Sequence, residues 1–150
     1  MRVGILVFLI VVVDQLSKAY IQSNMYLGES IPILQDIFHI TYILNPGAAF
    51  GLFADQTFFF IGLAVLMVAA AIWFYPAIKK ESAWMQAGIG LLLGGAVGNL
   101  IDRVLIGKVV DFFDFRIWPI FNIADICIVC GAFLIAVASF TAKDEVNADG

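Results

Sequence analysis

The chain has 150 residues, of which 63% are hydrophobic and 13% charged, against about 45–50% and about 25% in a typical soluble domain. That composition excludes an intrinsically disordered chain, a collagen-like repeat and a basic nucleic-acid-binding domain. Eight Lys and Arg against 12 Asp and Glu leave a formal charge of −4, so no affinity for nucleic acid is expected, and each of the few charges needs a physical reason to be in so apolar a chain.

The first apolar run, Val3 to Val13, follows Arg2 and precedes Asp14-Gln15-Leu16-Ser17-Lys18. Its basic start, apolar core and Ser17-Lys18-Ala19 superficially match a secretory signal peptide. Three further long apolar runs favour instead a first transmembrane helix over about residues 4–22. A polar, non-helical segment, 23–56, comes next. Within it Ile37 to Leu44 alternates, with Phe38, Ile40, Tyr42 and Leu44 on one side and His39 and Thr41 on the other, the pattern of a half-buried strand. Asn45-Pro46-Gly47 reads as a turn.

A second span is predicted over 57–75, closed by Pro76 and by Lys79, Lys80 and Glu81. A third covers 84–101 and carries Gly90, Gly94 and Gly98, a small-residue stripe that lets a neighbouring helix approach closely. Segment 103–121 holds Lys108, Asp111, Asp114 and Arg116 among aromatic and branched residues, with Pro119 favouring an extended or turning chain. The fourth span covers 122–142 and leaves a short acidic tail. The expectation is one membrane α-helical domain, 1–150, with four transmembrane helices and outer segments 23–56 and 103–121.

Four spans put both termini on one side. Arg2, Lys79, Lys80 and Lys143 lie on that side, and Lys18, Arg103, Lys108 and Arg116 on the other. The count is a tie. Lys18 and Arg103 sit at or inside span ends within reach of carboxylates, so the basic residues in the short flanks decide, and the termini are expected in the cytoplasm.

Several polar residues inside the apolar runs invite attention. Asp14 and Lys18 are four apart and share a helix face, as an ion pair would; buried pairs add little stability, which leaves room for a ligand-positioning role. Asn99 and Arg103 share another face, beside Asp102. A guanidinium is a rigid, permanently charged donor fork suited to a carboxylate, phosphate or carbonyl; snorkelling to lipid headgroups would explain it equally. Asp125 follows Asn122 by three residues, which resembles a capping box at a helix start. Asp111 lies between branched and aromatic neighbours, and Asp114 competes with it; spacing does not choose between them.

Two carboxylates held close cannot both ionise, so they share a proton, one acting as base and the other as acid. Such a pair can activate water against an amide without a metal or covalent intermediate. A helix N-terminus favours the charged form of Asp125, which makes Asp111 the expected proton holder. Cys127-x-x-Cys130 has metal or redox spacing, but it lies within the fourth span and His39 is the sole histidine; small packing residues are the expectation, with no metal site and no cofactor. Two other functions fit parts of the pattern: a proton or ion carrier using Asp14, Lys18, Asp102 and Asp125, and a non-catalytic scaffold built on the glycine stripe.

Five ordered blocks carry a family resemblance: Val13-Asp14-Gln15-Leu16-Ser17-Lys18; Asn45-Pro46-Gly47-Ala48-Ala49-Phe50-Gly51; Gly94 to Arg103; Gly107-Lys108-Val109-Val110-Asp111-Phe112; and Phe121-Asn122-Ile123-Ala124-Asp125. Together they resemble the signature of the lipoprotein signal peptidases (signal peptidase II). The resemblance implies an aspartic endopeptidase of the bacterial plasma membrane that cuts prolipoproteins just before a diacylglyceryl-modified cysteine, with its site at the outer face. It matches Asp111 and Asp125 to the catalytic pair, which decides against Asp114. Asp14, Lys18, Asn45, Asn99, Arg103 and Asn122 match residues that support the dyad or hold the substrate, and Gly47 with Ala48 and Ala49 would let the substrate backbone approach. It further implies a small β-sheet cradle from the first outer segment and a short helix from the second. The implied partners are the lipidated prolipoprotein and membrane lipids, with no nucleic acid and no oligomer implied.

Overall fold

The computed structural model describes residues 2–47 and 56–148. In chain order these form α1 (Arg2–Asn24), β1 (Ser30–Leu34), β2 (Phe38–Asn45), α2 (Thr57–Trp73), α3 (Tyr75–Ile78), α4 (Ala83–Ile106), β3 (Val109–Asp114) and α5 (Ile123–Ala148). Three helices are long and apolar enough to cross a membrane: α1, α4 and the Ile123–Thr141 part of α5. α2 has 17 residues, about 25 Å of helix against a hydrocarbon core of about 30 Å.

Helix ends follow local chemistry. α2 stops at Trp73 rather than residue 75, because Pro76 cannot donate within a continuing helix; it is tolerated only in the first turn of the new helix α3. α4 runs on to Ile106 rather than ending at residue 101. It stops where Gly107 takes a left-handed φ of 75° and donates its N–H to the Arg103 carbonyl at 3.1 Å. Arg103, expected at the start of the outer segment, therefore sits on the last turn of a helix, with Asp102 beside it.

The three strands form one antiparallel sheet in the order β1-β2-β3. The second outer segment thus supplies a strand, and the short helix expected there is absent among its described residues. Val109-Val110-Asp111-Phe112-Phe113-Asp114 is β-branched and aromatic, suited to a buried strand. Beyond it, Arg116 at φ 65° turns the chain, and Phe121 bridges back to Phe113. Ile21 and Met25 at the end of α1 pack against Tyr42, Val110 and Phe112, seating the sheet on the helices.

The glycine stripe is a contact with α1. Cβ atoms at Gly90, Gly94 and Gly98 would collide with Leu6, Ile10 and Asp14, three residues at the same four-residue spacing. Gly88, Gly95 and Gly131 do the same between α4 and α5. The result inverts a soluble protein. The largest fully buried side chains are Lys18, Val110, Asn122, Asp14 and Asp111, four of them polar, while Phe8, Phe58, Trp84, Phe133 and Phe140 face outward. Polar groups inside and aromatic groups outside are what a lipid solvent selects, and the chain is a multi-pass membrane protein.

Candidate active site

The site is built from α1 outward. Lys18 is fully buried, and its ammonium donates to Asp14 Oδ2 at 2.9 Å, Asp102 Oδ2 at 3.0 Å and Asn99 Oδ1 at 2.9 Å. An ammonium has three N–H groups, and all three are used. The expected Asp14–Lys18 pair is therefore the centre of a larger cluster whose members reach other elements. Asp14 Oδ1 accepts the Ala124 N–H in the first turn of α5 at 3.0 Å. Asp102 Oδ2 accepts the Val110 N–H of β3 at 3.0 Å. Gln15 Nε2 donates to Asp102 Oδ1 and the Gly98 carbonyl at 3.0 and 3.1 Å.

From this base two asparagines reach two acids. Asn99 Nδ2 donates to Asp125 Oδ1 at 2.7 Å. Asn122 Oδ1 accepts the Asp125 N–H at 2.9 Å while Asp125 Oδ2 accepts the Asn122 N–H at 3.3 Å, a reciprocal capping box. The structural role expected of this pair is thus real, and it fixes the carboxyl in place. With its oxygen committed to the cap, Asn122 directs Nδ2 at Asp111 Oδ1, 2.6 Å away. Asn45 Nδ2 donates to Asp111 Oδ2 at 2.9 Å.

Asn45 also accepts the Gly47 N–H at 2.9 Å, making the turn after β2 an Asx turn. Arg103 Nη2 donates to the Gly47 carbonyl at 3.0 Å, and its guanidinium lies 4.5 Å from the centre of the Phe60 ring. Arg103 therefore points inward rather than snorkelling to headgroups. All nine site residues expected from the sequence converge here. Ala48 and Ala49, expected to let a substrate backbone approach, lie outside the described residues.

A cavity of about 630 Å³ opens between these groups. One end carries Asn45, Asn99, Arg103, Asp111 and Asp125; Leu63, Met67, Ile128 and Val129 line the apolar remainder. Burial first, and then the negative charge of Asp125, push Asp111 up to about 7, against the lowering effect of the Asn45 and Asn122 hydrogen bonds.

Asp114 has the opposite setting. It is three residues along the strand and so on the other face of the sheet. Burial raises its affinity for a proton, but hydrogen bonds from the Arg116 N–H, the Thr41 hydroxyl and the Arg116 guanidinium outweigh that and hold it below the usual carboxylate range. His39 bonds Ser30 on the sheet. Cys127 and Cys130 are free thiols, and no group of three potential metal ligands occurs among the described residues.

Two contributors, Gln15 and Phe60, were not singled out from sequence, and Asp102 was singled out for a proton relay rather than for this cluster. Asp102 and Gln15 lie in the signature blocks, but their partners come from other elements. Phe60 was hidden in an apolar run, where nothing distinguishes it from a lipid-facing phenylalanine. One clue was available: a buried lysine with acids on two helices has more than one possible partner.

The arrangement presents two carboxyls of unequal setting to one cavity, with a fixed cation among its lining residues. The comparisons with known proteins point the same way. The family described as signal peptidase (SPase) II matches residues 6–141. The lipoprotein signal peptidase of Pelotomaculum thermopropionicum is 46% identical over 141 residues, 94% of this chain and 93% of that protein. That of Moorella thermoacetica is 45% identical over 131 residues, 87% of each. A bacterial membrane enzyme solved by the in meso method at 2.3 Å superposes with a TM-score of 0.86 at 34% identity, covering 96% of this chain and 90% of that one. A second, at 1.9 Å, gives 0.79 at 36% identity over 91% of each chain. The match spans nearly the whole chain in both sequence and fold, and the chain belongs to the signal peptidase II family of membrane proteases.

Proposed function

We propose that this chain removes the signal peptide from diacylglyceryl-modified prolipoproteins by cleaving just before the lipidated cysteine, with Asp111 and Asp125 sharing one proton and activating water between them. The observation that carries the reading is the Asn122 side chain, which caps the Asp125 N–H with its oxygen and donates to Asp111 with its nitrogen. One residue thus registers both acids in a single cavity.

In the resting state Asp111 holds the proton and Asp125 is the carboxylate. Asp125 takes a proton from water as the water oxygen attacks the scissile carbonyl, and Asp111 gives its proton to the carbonyl oxygen. The tetrahedral adduct collapses by breaking the C–N bond. The proton on Asp125 passes to the departing cysteine amine and the adduct's hydroxyl proton returns to Asp111. One water is consumed and the pair is restored.

Asn99 is committed to Lys18, Asn122 and Asp125, so its role is to support the dyad. Arg103 and Asn45 border the opening and hold the substrate backbone, and Gly47 lets it come near. Asp14 and Lys18 brace the base. The whole chain acts as one domain in which α1, α2, α4 and α5 all cross the bacterial plasma membrane. Both termini are cytoplasmic, and the sheet lies at the outer face. The largely apolar wall of the cavity suits a substrate that is itself an apolar helix bearing acyl chains.

The test is cleavage by the purified protein in lipid vesicles, using prolipoprotein with and without the diacylglyceryl group. The expected product begins at the lipidated cysteine and forms from modified substrate alone. Equal cleavage of unmodified substrate, or a cut elsewhere, contradicts the reading.

A further inference from the structure

An amide side chain can be turned either way, and which way Asn99 faces decides what Asp125 experiences. If its oxygen faced Asp125, two acceptors would oppose each other and only a protonated Asp125 could be accommodated. With its nitrogen facing Asp125, the carboxylate receives an N–H. Nothing on Asn99 itself selects between these. The selection comes from α1: Lys18 Nζ lies 2.9 Å from Asn99 Oδ1, and an ammonium has only donors, so it accepts no arrangement but the one that places oxygen toward Lys18 and nitrogen toward Asp125, 2.7 Å away. Asn122 Nδ2 adds a second donor to the same oxygen at 3.2 Å.

We propose that Lys18 is a positioning residue for the reaction: it locks the amide of Asn99 with its nitrogen toward Asp125, so that Asp125 rests as the carboxylate and the shared proton is kept on Asp111. The same ammonium positions the other acid by a second route. It holds Asp102 at 3.0 Å, whose second contact through that oxygen is the N–H of Val110, the residue preceding Asp111. One cation that meets neither substrate nor reacting atoms thereby sets both the place and the protonation of the pair. Its third bond, to Asp14, ties this hub to the first turn of α5 through the Ala124 N–H. The inference rests on the dyad reading above and extends it.

The test is a pH profile. The charged groups around Asp125 are Asp111 on β3, Arg103 on α4, and Asp14 and Lys18 on α1. Lys18→Met, Lys18→Arg and Asn99→Asp are assayed on lipidated prolipoprotein in vesicles from pH 5 to 9, together with Asp111→Asn and Asp125→Asn, and thermal unfolding reports the folded fraction. Asn99→Asp is nearly isosteric and keeps an acceptor for Lys18 but has no donor for Asp125, so it serves if Lys18→Met fails to fold.

A charge-assisted hydrogen bond shifts an equilibrium by about 10- to 100-fold. The expected result is an acid limb of the kcat profile moved up by about 1 pH unit in Lys18→Met and Asn99→Asp, which lowers kcat about tenfold on the acid side of the limb and progressively less toward the plateau. KM stays within about twofold, because Lys18 does not line the cavity and the amide of Asn99 is taken up by Lys18, Asn122 and Asp125. Lys18→Arg, which also presents only donors, restores the limb toward its original position. A folded Lys18→Met or Asn99→Asp whose kcat falls with no movement of the limb overturns the proposal and leaves Lys18 a structural brace. Failure of the dyad reading itself is separate: it appears as activity retained in Asp111→Asn or Asp125→Asn.

Discussion

Asp111→Asn separates the electrostatics of the site from its chemistry. Burial and the charge of Asp125 raise Asp111 from 3.8 to about 7, so the folded protein binds a proton that the unfolded chain has already released. The stability gained from that proton is complete below about pH 4 and is lost as pH rises through about 7; a rise of this size corresponds to roughly 4 kcal/mol. Asparagine is neutral at every pH and escapes this loss. It has its own cost: Asp111 receives hydrogen bonds at both oxygens, from Asn45 and Asn122, and an amide nitrogen must face one of those donors, at about 1–3 kcal/mol. The two effects have opposite signs and only one depends on pH. Asp111→Asn is therefore expected to be less stable than wild type at pH 4 and more stable, by roughly 1–3 kcal/mol, at pH 8. Thermal or denaturant unfolding in detergent across this range measures it. A variant that stays at a constant offset from wild type, with no crossing, refutes the assignment of the raised group to Asp111.

Other substitutions probe the frame. A Cβ at position 98 would lie 2.5 Å from Asp14 Oδ2, whereas one at position 4 meets nothing within 4 Å; Gly98→Ala should lose about 1–3 kcal/mol in unfolding measurements while Gly4→Ala stays near wild type. Arg103→Lys keeps the charge but gives up the planar fork that reaches the Gly47 carbonyl over the Phe60 ring, so kcat/KM should fall about tenfold or more with little change in melting temperature. Replacing both Cys127 and Cys130 by Ala, or adding a chelator, should leave cleavage unchanged, since the two thiols take no part in the proposed chemistry. Asp114 is held below the usual carboxylate range in the folded protein. The stability this gives is present above about pH 4 and is lost as pH falls toward the folded value, so Asp114→Asn should flatten the acid end of the unfolding curve.

The legibility of the sequence divides along physical lines. Lipid solvent makes charges rare, so Asp14, Lys18, Asn99, Arg103, Asp111, Asn122 and Asp125 could be picked out one by one, and all converge on one site. The glycine spacing likewise announced a close helix contact, though not that its partners would be Leu6, Ile10 and Asp14. What stayed hidden was pairing across elements. Asp102 reads as a neighbour of Arg103 in sequence, but its function in the fold comes from Lys18 on α1 and the Val110 N–H on β3. Spacing alone did not choose Asp111 over Asp114; the family resemblance did, and the physical reason, that the two lie on opposite faces of β3, came only with the fold, where Ile43 opposes Asp111 and His39 opposes Asp114. The helix expected in the second outer segment came from resemblance, whereas the residues there, Val109-Val110 followed by Phe112-Phe113, suit the strand that forms.

The central claim is that Asp111 and Asp125 act as one catalytic pair. The direct measurement is cleavage of diacylglyceryl-modified prolipoprotein by wild type, Asp111→Asn and Asp125→Asn in the same vesicles, with unfolding curves recorded for each. The account predicts that both variants fold and that neither cleaves. A folded variant of either kind that cleaves at the wild-type rate contradicts it.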